Sequence, residues 1–416
     1  MQVNVFTGNI IMDLSMFLFF GVFVFIMLIL ITSILTKKRT YDSFHPPVTV
    51  LVPAYNERKH LDSCLKAIIA NKYQEMELII IDDGSTDSTP RIIEKFTTRY
   101  PFISSIKGDH QGKSAALNKG LQKAKHDIII SIDADTMIEK DFLSEIVKPF
   151  SDARVGATNG MCFAQKPRKV IEWFQSVEYL YNNFIRSSFS SVFDNGIWFF
   201  GAAAAYKKSV VENIGGFSKD TMTEDMDISL SIFNAGYKVL TVKDAAYYTK
   251  APHSVKDLFI QRMRWFYGGM QNIIKHRKVF SRKSFAIKFL FSNQMFWSLY
   301  SLLIIPLVAY QVKYWLPSGT KEIFWYLFRW FSLSGPIVVL QKIPEWGLNF
   351  VNIFGVLAGI LTTVLIFASF RRFRKVPNFK DLIIIFFYFP YTLVLNATFL
   401  VAAIKFPFSK KKGFIK

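Results

Sequence analysis

Long apolar blocks on either side of a polar middle constrain this chain more than any other feature. Leu14 to Leu35 is an apolar run, and about 20 such residues suffice to cross a bilayer. It has neither a basic N-terminal region nor a small-residue cleavage site, so it reads as an anchor and not as a signal peptide. Lys37-Lys38-Arg39 come directly after it, while the short N-terminus carries only Asp13. The positive-inside asymmetry therefore places the polar middle of the chain in the cytoplasm. Further apolar segments lie at Phe289–Val312, Ile323–Gln341, Phe350–Phe370 and Leu382–Ile404. All four cannot span: a cytoplasmic Lys410-Lys411-Lys412 would leave Arg371-Arg372-Phe373-Arg374-Lys375 outside. One is re-entrant or interfacial, and either Ile323–Gln341, with Arg329 and Pro336, or Leu382–Ile404, broken at Phe389-Pro390, fits that role.

The net charge of +20 tracks the same blocks. From Lys275 to Lys416 there are 20 Lys/Arg against 3 Asp/Glu. With the three basic residues at 37–39, that accounts for the whole excess. Basic charge beside apolar segments anchors and orients a membrane protein, so membrane lipids are expected partners and nucleic acid is not. Two cysteines, Cys64 and Cys162, cannot build a disulfide framework, which suits a reducing cytoplasmic face. No Cys/His cluster has zinc spacing.

Between Pro46 and about residue 250 the pattern changes to a soluble α/β domain. Val48–Val52, Leu78–Ile81 and Ile128–Ile132 are short apolar runs that read as buried strands. Helical patterns at Glu57–Ala70, Thr89–Arg99 and Lys113–Lys125 fall between or after them. Alternation of this kind implies a parallel sheet, and ligands bind beyond the carboxyl ends of such strands. All three strand ends carry turn or acidic residues: Pro53, Asp82-Asp83-Gly84 and Asp133-Ala134-Asp135. Arg168–Phe193 has aromatics on a helical period and suits either a core helix or one lying in the membrane interface.

Several clusters carry chemistry. Two carboxylates spaced as Asp133 and Asp135, at a strand end, can share a hard divalent cation bridging a diphosphate; a solvated turn is the ordinary alternative. A carboxylate in Asp82–Asp87 can accept the imide N–H of uracil, and the same residues can cap a helix. Gly108–Ser114, G-D-H-Q-G-K-S, lacks the spacing of an ATP-binding phosphate loop, although Lys113 at a helix start can still reach a phosphate. Glu224-Asp225, after Thr223, can supply a general base near an acceptor hydroxyl. Trp198-Phe199-Phe200-Gly201 can stack on a sugar or lie in a core. Gln261-Arg262-Met263-Arg264-Trp265 stands where the polar segment meets the apolar blocks. There it reads either as a basic amphipathic helix or as a site for a leaving phosphate and a sugar.

Taken in order, these motifs resemble the processive, membrane-integrated, inverting glycosyltransferases of family 2, which make cellulose, chitin, hyaluronan and poly-β-1,6-N-acetylglucosamine. The likeness runs from Pro53-Ala-Tyr-Asn-Glu57 through Asp83, Lys113, Asp133-Ala-Asp135, Phe200-Gly201 and Thr223-Glu-Asp225 to Gln261–Trp265, about two thirds of the chain. It implies a cytoplasmic α/β domain of GT-A type, with a mostly parallel, Rossmann-like sheet, inserted between transmembrane and interfacial helices. The expected layout is an extracytoplasmic 1–13, a span at 14–35, the transferase domain at 46–250, interfacial helices at 251–284, a membrane region of three to four helices at 285–405 and a basic tail at 406–416. The resemblance further implies that Ala54, Tyr55, Glu57 and Asp83 line the uridine pocket. Lys113 and Asp133 would contact the nucleotide, and Asp135 would hold Mg²⁺ or Mn²⁺. Asp225 would be the general base, with Glu224 beside it at the acceptor. Gln261 and Arg264 would bind the diphosphate, and Trp265, Phe200 and Gly201 would border the acceptor sugar. A UDP-sugar donor, best matched by UDP-N-acetylglucosamine, and a growing glycan are the implied partners; a small accessory membrane subunit is compatible with them. A β-glucan or hyaluronan-like synthase, a transferase to a lipid acceptor and a non-catalytic export component are the rival readings. The short tail is expected to carry no cyclic-dinucleotide-binding domain, and the implied location is the plasma membrane.

Overall fold

The computed structural model describes residues 10–36, 41, 43–195, 201–277 and 350–408, with isolated positions between 278 and 349. Its described elements begin with α1 (Ile10–Leu35), β1 (Val48–Ala54), α2 (Leu61–Ala70), β2 (Met76–Asp82), α3 (Thr89–Arg99), β3 (Ile103–Lys107), α4 (Lys113–Lys123) and β4 (Ile128–Ile132). Next come β5 (Met137–Ile138), α5 (Phe142–Val147), β6 (Val155–Ala164), α6 (Val170–Phe193), β7 (Ala203–Lys207), α7 (Lys208–Asn213), α8 (Glu224–Asn234), β8 (Lys238–Thr249) and α9 (Val255–Lys275). Beyond residue 349 lie α10 (Phe350–Arg372), α11 (Phe379–Phe386) and α12 (Tyr388–Lys405).

Among the described residues eight strands form one sheet in the order β3-β2-β1-β4-β7-β6-β8-β5. β1 pairs in parallel with β2 and β4, and β2 with β3. β1, β2 and β4 are the strands whose apolar runs the sequence displays. Buried on both faces, they need no polar side. Val48, Val50, Val52, Leu78, Ile80, Ile128 and Ile130 face one core cluster, which includes Leu61, Leu65 and Ile68 of α2. Leu51, Ile79, Ile81 and Ile129 face a second cluster with Ala116, Leu117 and Leu121 of α4. The alternation is the period-two consequence of a pleated strand.

The other half corrects the expectation of a mostly parallel sheet. β7 runs antiparallel to both β4 and β6, β8 is parallel to β6, and β5 is antiparallel to β8. The sheet is mixed. β7 reads Ala-Ala-Ala-Tyr-Lys and β6 contains Gly156 and Gly160, so neither carries the branched apolar signature of a strand. Small residues are required there because neighbours press close. A Cβ on Gly156 would lie 2.6 Å from the Ile232 side chain.

Outside the sheet, α6 is a core helix. Val177 and Leu180 pack with Met161 and Phe163 of β6 and with Ile366 of α10. Phe184 and Phe189 pack with Ile26, Ile29 and Leu30 of α1 and Leu365 of α10. The apolar segment Leu382–Ile404 is broken, as Pro390 suggests. α11 ends at Phe386 and α12 restarts at Tyr388, placing Pro390 in a first turn where no N–H is needed. α12 then lies along α9: Ala402 is buried with Met263 and Tyr267, and Phe406 stacks on Tyr267 at 5.8 Å. The basic turn after α10 returns to the α/β domain, with the Lys375 ammonium 3.8 Å from the Phe163 ring centroid.

Among the residues whose side chains are described, no helix is long and apolar enough to cross a membrane. Several side chains of α1 and α10 lie outside that set. The segments Phe289–Val312 and Ile323–Gln341 are outside the described residues, apart from the isolated positions, as are residues 1–9, Lys37-Lys38-Arg39 and Lys410-Lys411-Lys412.

Gly160 falls at an irregularity in the β6–β8 register. A Cβ there would lie 2.5 Å from the Ala245 carbonyl oxygen and 2.8 Å from the Phe142 ring. The nearer obstacle is backbone, so the strands themselves must spread. Gly160→Ala is expected to cost about 1–3 kcal/mol, read as a lower midpoint in denaturant unfolding; an unchanged midpoint would contradict this packing.

Candidate active site

The carboxyl ends of β1, β2 and β4 open on one edge of the sheet, and the antiparallel β7 starts at the same edge. Asp133 N–H donates to the Ala202 carbonyl at 2.9 Å, and Asp83 N–H donates to the Ala54 carbonyl at 2.9 Å. Three strand ends and one strand start therefore bring Ala54, Asp83, Asp133 and Gly201 together.

At the centre stands Lys113, the first residue of α4. Its ammonium is 2.6 Å from Asp133 Oδ1 and 2.9 Å from Glu224 Oε1. The three side chains keep between 20% and 31% of their surface exposed, so they border a cleft. Burial opposes the Lys113 charge, but Asp133 and Glu224 more than offset it, holding the ammonium well above its ordinary value. Burial pushes the Asp133 carboxyl up to about 6 despite Lys113. Burial also acts upward on Glu224, yet Lys113 and then Arg264 outweigh it and hold that carboxyl low.

Asp225 is held differently. Gly201 N–H donates to its Oδ2 at 2.8 Å, and Met226 N–H donates to Oδ1 at 2.8 Å. Burial and the neighbouring Glu224 raise its pKa above the ordinary carboxylate value. A carboxylate raised in this way, beside another kept charged, is the pattern of a base with a defined task. Gly201 is required by this contact, since a Cβ there would lie 2.3 Å from Asp225 Cβ. Phe200, expected beside it, lies outside the described residues, as does Trp198.

Beyond the ends of β1 and β2 the two turns are laced together. Asn56 Oδ1 accepts from Thr86 N–H at 2.9 Å, and Ser85 Oγ accepts from Asn56 N–H at 3.0 Å. Asp83 accepts from the Gln111 and Gly112 N–H groups at 3.0 and 2.8 Å. His110 lies 3.1 Å from Asp83 Oδ2 and stacks on Tyr55 with ring centroids 3.8 Å apart. The imidazole thus covers one face of Tyr55 and meets the Asp83 carboxylate. Beyond it, Glu57, His60, Asp87, Asp135, Lys250 and His253 line a cleft of about 660 Å³. Lys250 Nζ donates to His60 Nε2 at 2.6 Å; burial, then Lys250, lower the His60 pKa.

Among the described residues no three Asp, Glu, His or Cys side chains converge on one point, so an all-protein metal cage is not built from them. The donor chemistry nevertheless suits a hard cation. Mg²⁺-type sites use one or two carboxylates and take their remaining oxygens from phosphates and water. Asp135, facing the cleft, offers such a carboxylate.

Gln261–Trp265 forms part of α9, and its residues point in different directions. Arg264 is exposed and acts electrostatically on Glu224. Trp265 packs against the first core cluster, at whose margin Ala202 also lies. Arg262 and Met263 turn inward and are buried. Gln261 is half-buried beside Tyr179. Further along α9, Asn272 Nδ2 donates to Thr223 Oγ1 at 3.0 Å, and Gln271 Oε1 accepts from Met222 N–H at 2.9 Å. Lys275 and His276 grip Asp227 of α8 at 2.8 and 2.6 Å. A Cβ on Gly268 would lie 2.3 Å from Thr223 Oγ1. None of these α8–α9 ties has a sequence motif beyond the Gly268-Gly269 pair, because the partners are up to 49 residues apart and meet only in the fold.

A family model described as "Glycosyltransferase like family 2" matches residues 45–268, more than half of the chain. The chain belongs to glycosyltransferase family 2; it is a transferase acting on sugar donors. Curated relatives include poly-beta-1,6-N-acetyl-D-glucosamine synthase of Staphylococcus aureus strain COL, 30% identical over 231 residues. That match covers 55% of this chain and 56% of the relative's length, so the chain spans little more than half of it. The synthase of the same name from Staphylococcus epidermidis is 25% identical over 370 residues, covering 88% of this chain and 85% of that protein. Among solved structures, the mannosyltransferase PcManGT from Pyrobaculum calidifontis, solved with GDP-Man and Mn²⁺, is 20% identical. It aligns over 96% of this chain and 99% of its own with a TM-score of 0.59, a likeness of fold.

Gly201→Ala pushes directly on the Asp225 side chain. It is expected to lower sugar transfer at least tenfold, the loss of about 1.4 kcal/mol of transition-state stabilisation. The melting temperature is expected to fall by only a few degrees. Wild-type turnover in this variant would show that Asp225 does not depend on the Gly201 contact.

Proposed function

We propose that the protein is a membrane-integrated, inverting polysaccharide synthase. It would extend a β-linked glycan from a UDP-sugar, best matched by UDP-N-acetylglucosamine. The observation that carries the reading is Asp225, raised and aimed by two backbone N–H groups, next to a Lys113 that bridges Asp133 and Glu224. The names of the Staphylococcus relatives support the sugar and the polymer.

In this mechanism the acceptor hydroxyl attacks the anomeric carbon while Asp225 takes its proton. One displacement from an α-linked donor yields a β-linked product. Charge gathers on the departing nucleotide diphosphate, and Lys113 and Arg264 would offset it; such fixed electrostatic stabilisation is usually the largest catalytic contribution. Mg²⁺ or Mn²⁺, held by Asp135 together with the diphosphate, would supply further neutralisation. Tyr55, Glu57 and Asp83 take the uridine once His110 yields the face of Tyr55. Trp265 stacks on the acceptor end and keeps the polymer bound between additions.

Membrane insertion rests on α1. It runs 26 residues, about 39 Å at 1.5 Å per residue, against a hydrocarbon thickness of about 30 Å. Asp13 is the only charged residue in it. The transferase domain then faces the cytoplasm of a plasma-membrane protein, where the nucleotide sugar is available.

Donor choice separates the sugar readings. Purified full-length protein incubated separately with UDP-N-acetylglucosamine, UDP-glucose and UDP-glucuronate should release UDP fastest from the first; equal or greater release from another overturns the sugar assignment. Asp225→Asn should keep UDP binding and lose transfer; normal turnover removes Asp225 as the base. The acid side of the pH profile checks Asp133 together with Asp225. Asp133, pushed up to about 6, and the raised Asp225 are both ionised only above their folded pKa values. Transfer should therefore fall as pH drops through about 6, and a flat profile down to pH 4 would contradict it.

A further inference from the structure

One buried charged cluster lies outside the groups assigned to the transfer step, yet it touches Trp265. Arg262 Nη2 donates to Glu178 Oε2 of α6 at 2.8 Å, with both side chains 7% exposed. The same carboxylate oxygen accepts from Tyr391 Oη of α12 at 2.5 Å. Tyr391 is in turn stacked on Phe174 of α6, ring centroids 4.9 Å apart. The Arg262 guanidinium carbon lies 4.4 Å from the centroid of the Trp265 ring. Residues 262 and 265 are three apart on α9, so they share a helix face.

Such a cluster is a poor device for stability alone. A buried ion pair seldom improves on apolar side chains of the same volume, and Arg262 Nε is buried without a hydrogen-bond partner. What it does well is fix geometry. Guanidinium is planar and stacks on an indole while its edge meets a carboxylate. Trp265 is thus covered by Arg262 on one side and packs against the first core cluster elsewhere. Only its remaining surface is left for a sugar.

We propose that Arg262 is a positioning residue for Trp265, held by Glu178 and Tyr391, so that the setting of α12 against α6 governs how the acceptor end is gripped. This rests on the reading of Trp265 as the acceptor platform. α12 lies beyond the segment that matches the family model. The C-terminal helices would therefore influence acceptor use without touching the donor.

The test uses the full-length protein with an N-acetylglucosamine oligosaccharide as acceptor. Arg262→Lys keeps the charge and loses the planar stack. It should raise the acceptor KM several-fold, through loss of the planar guanidinium stack and its forked donors, and shorten the product. The donor KM and acceptor-free hydrolysis of the donor should be unchanged. Tyr391→Phe removes a single hydroxyl, leaves the ion pair in place, and should move the acceptor KM in the same direction by less. It also serves if Arg262→Lys fails to fold. If both variants leave acceptor KM and product length unchanged while Trp265→Ala changes them, the positioning role is wrong and the acceptor platform stands. If Trp265→Ala changes neither, the acceptor platform is wrong and the positioning role falls with it. A parallel loss of donor and acceptor kinetics in Arg262→Lys, with no effect of Tyr391→Phe, makes the cluster structural only and overturns the proposal.

Discussion

One ammonium group organises this site. Lys113 stands between Asp133 and Glu224, with Asp225 next along α8. Three carboxylates gathered in a half-buried cleft would repel one another, and each would resist ionisation. The lysine makes the gathering tolerable. It keeps Glu224 charged and leaves the upward pressure of burial on Asp133 and Asp225. Its own position depends on α4, whose Ala116, Leu117 and Leu121 pack under the parallel strands. The site is therefore a consequence of how the sheet's second face is covered.

α9 is the second organising element. Its Gly268 lets Thr223 approach, its Asn272 and Gln271 hold the loop before Glu224, and its Lys275 and His276 fix Asp227. On its other faces, Arg264 acts on Glu224 while Arg262 reaches α6 and α12. One helix thus holds the loop before Glu224, sets Arg264 near that carboxylate and links to the C-terminal helices. The Gln261–Trp265 motif is the most recognisable part of that helix, but most of its mechanical role lies outside the motif.

Much of the parallel half was legible in advance. β1, β2 and β4 are unbroken branched apolar runs, and a strand buried on both faces has to look that way. α3 and α4 start where their patterns start. The mixed half was not legible, because glycine, alanine and small polar residues interrupt β6 and fill most of β7, suited to close approach and not to a hydrophobic signal. The same holds for the site. Asp133, Asp135, Glu224 and Asp225 stand out as acidic residues at strand ends or helix starts. The stacking of His110 on Tyr55 has no signature, since it depends on how two loops fold over each other. In the sequence Arg262 is an unremarkable neighbour of Arg264 and Trp265.

By itself, then, the sequence determined which residues can carry charge, which runs must be buried and where the chain turns, because hydropathy period and turn chemistry are local properties. It also placed the break in the last apolar segment, through Pro390. Only the tertiary structure decided that Lys113 joins Asp133 to Glu224 and that Gly201 clears space for Asp225. It likewise decided that α6 is a core helix and that Arg262 is committed to a carboxylate. Those contacts join residues that are distant in sequence, and their existence depends on strand direction and helix packing, which no local pattern records.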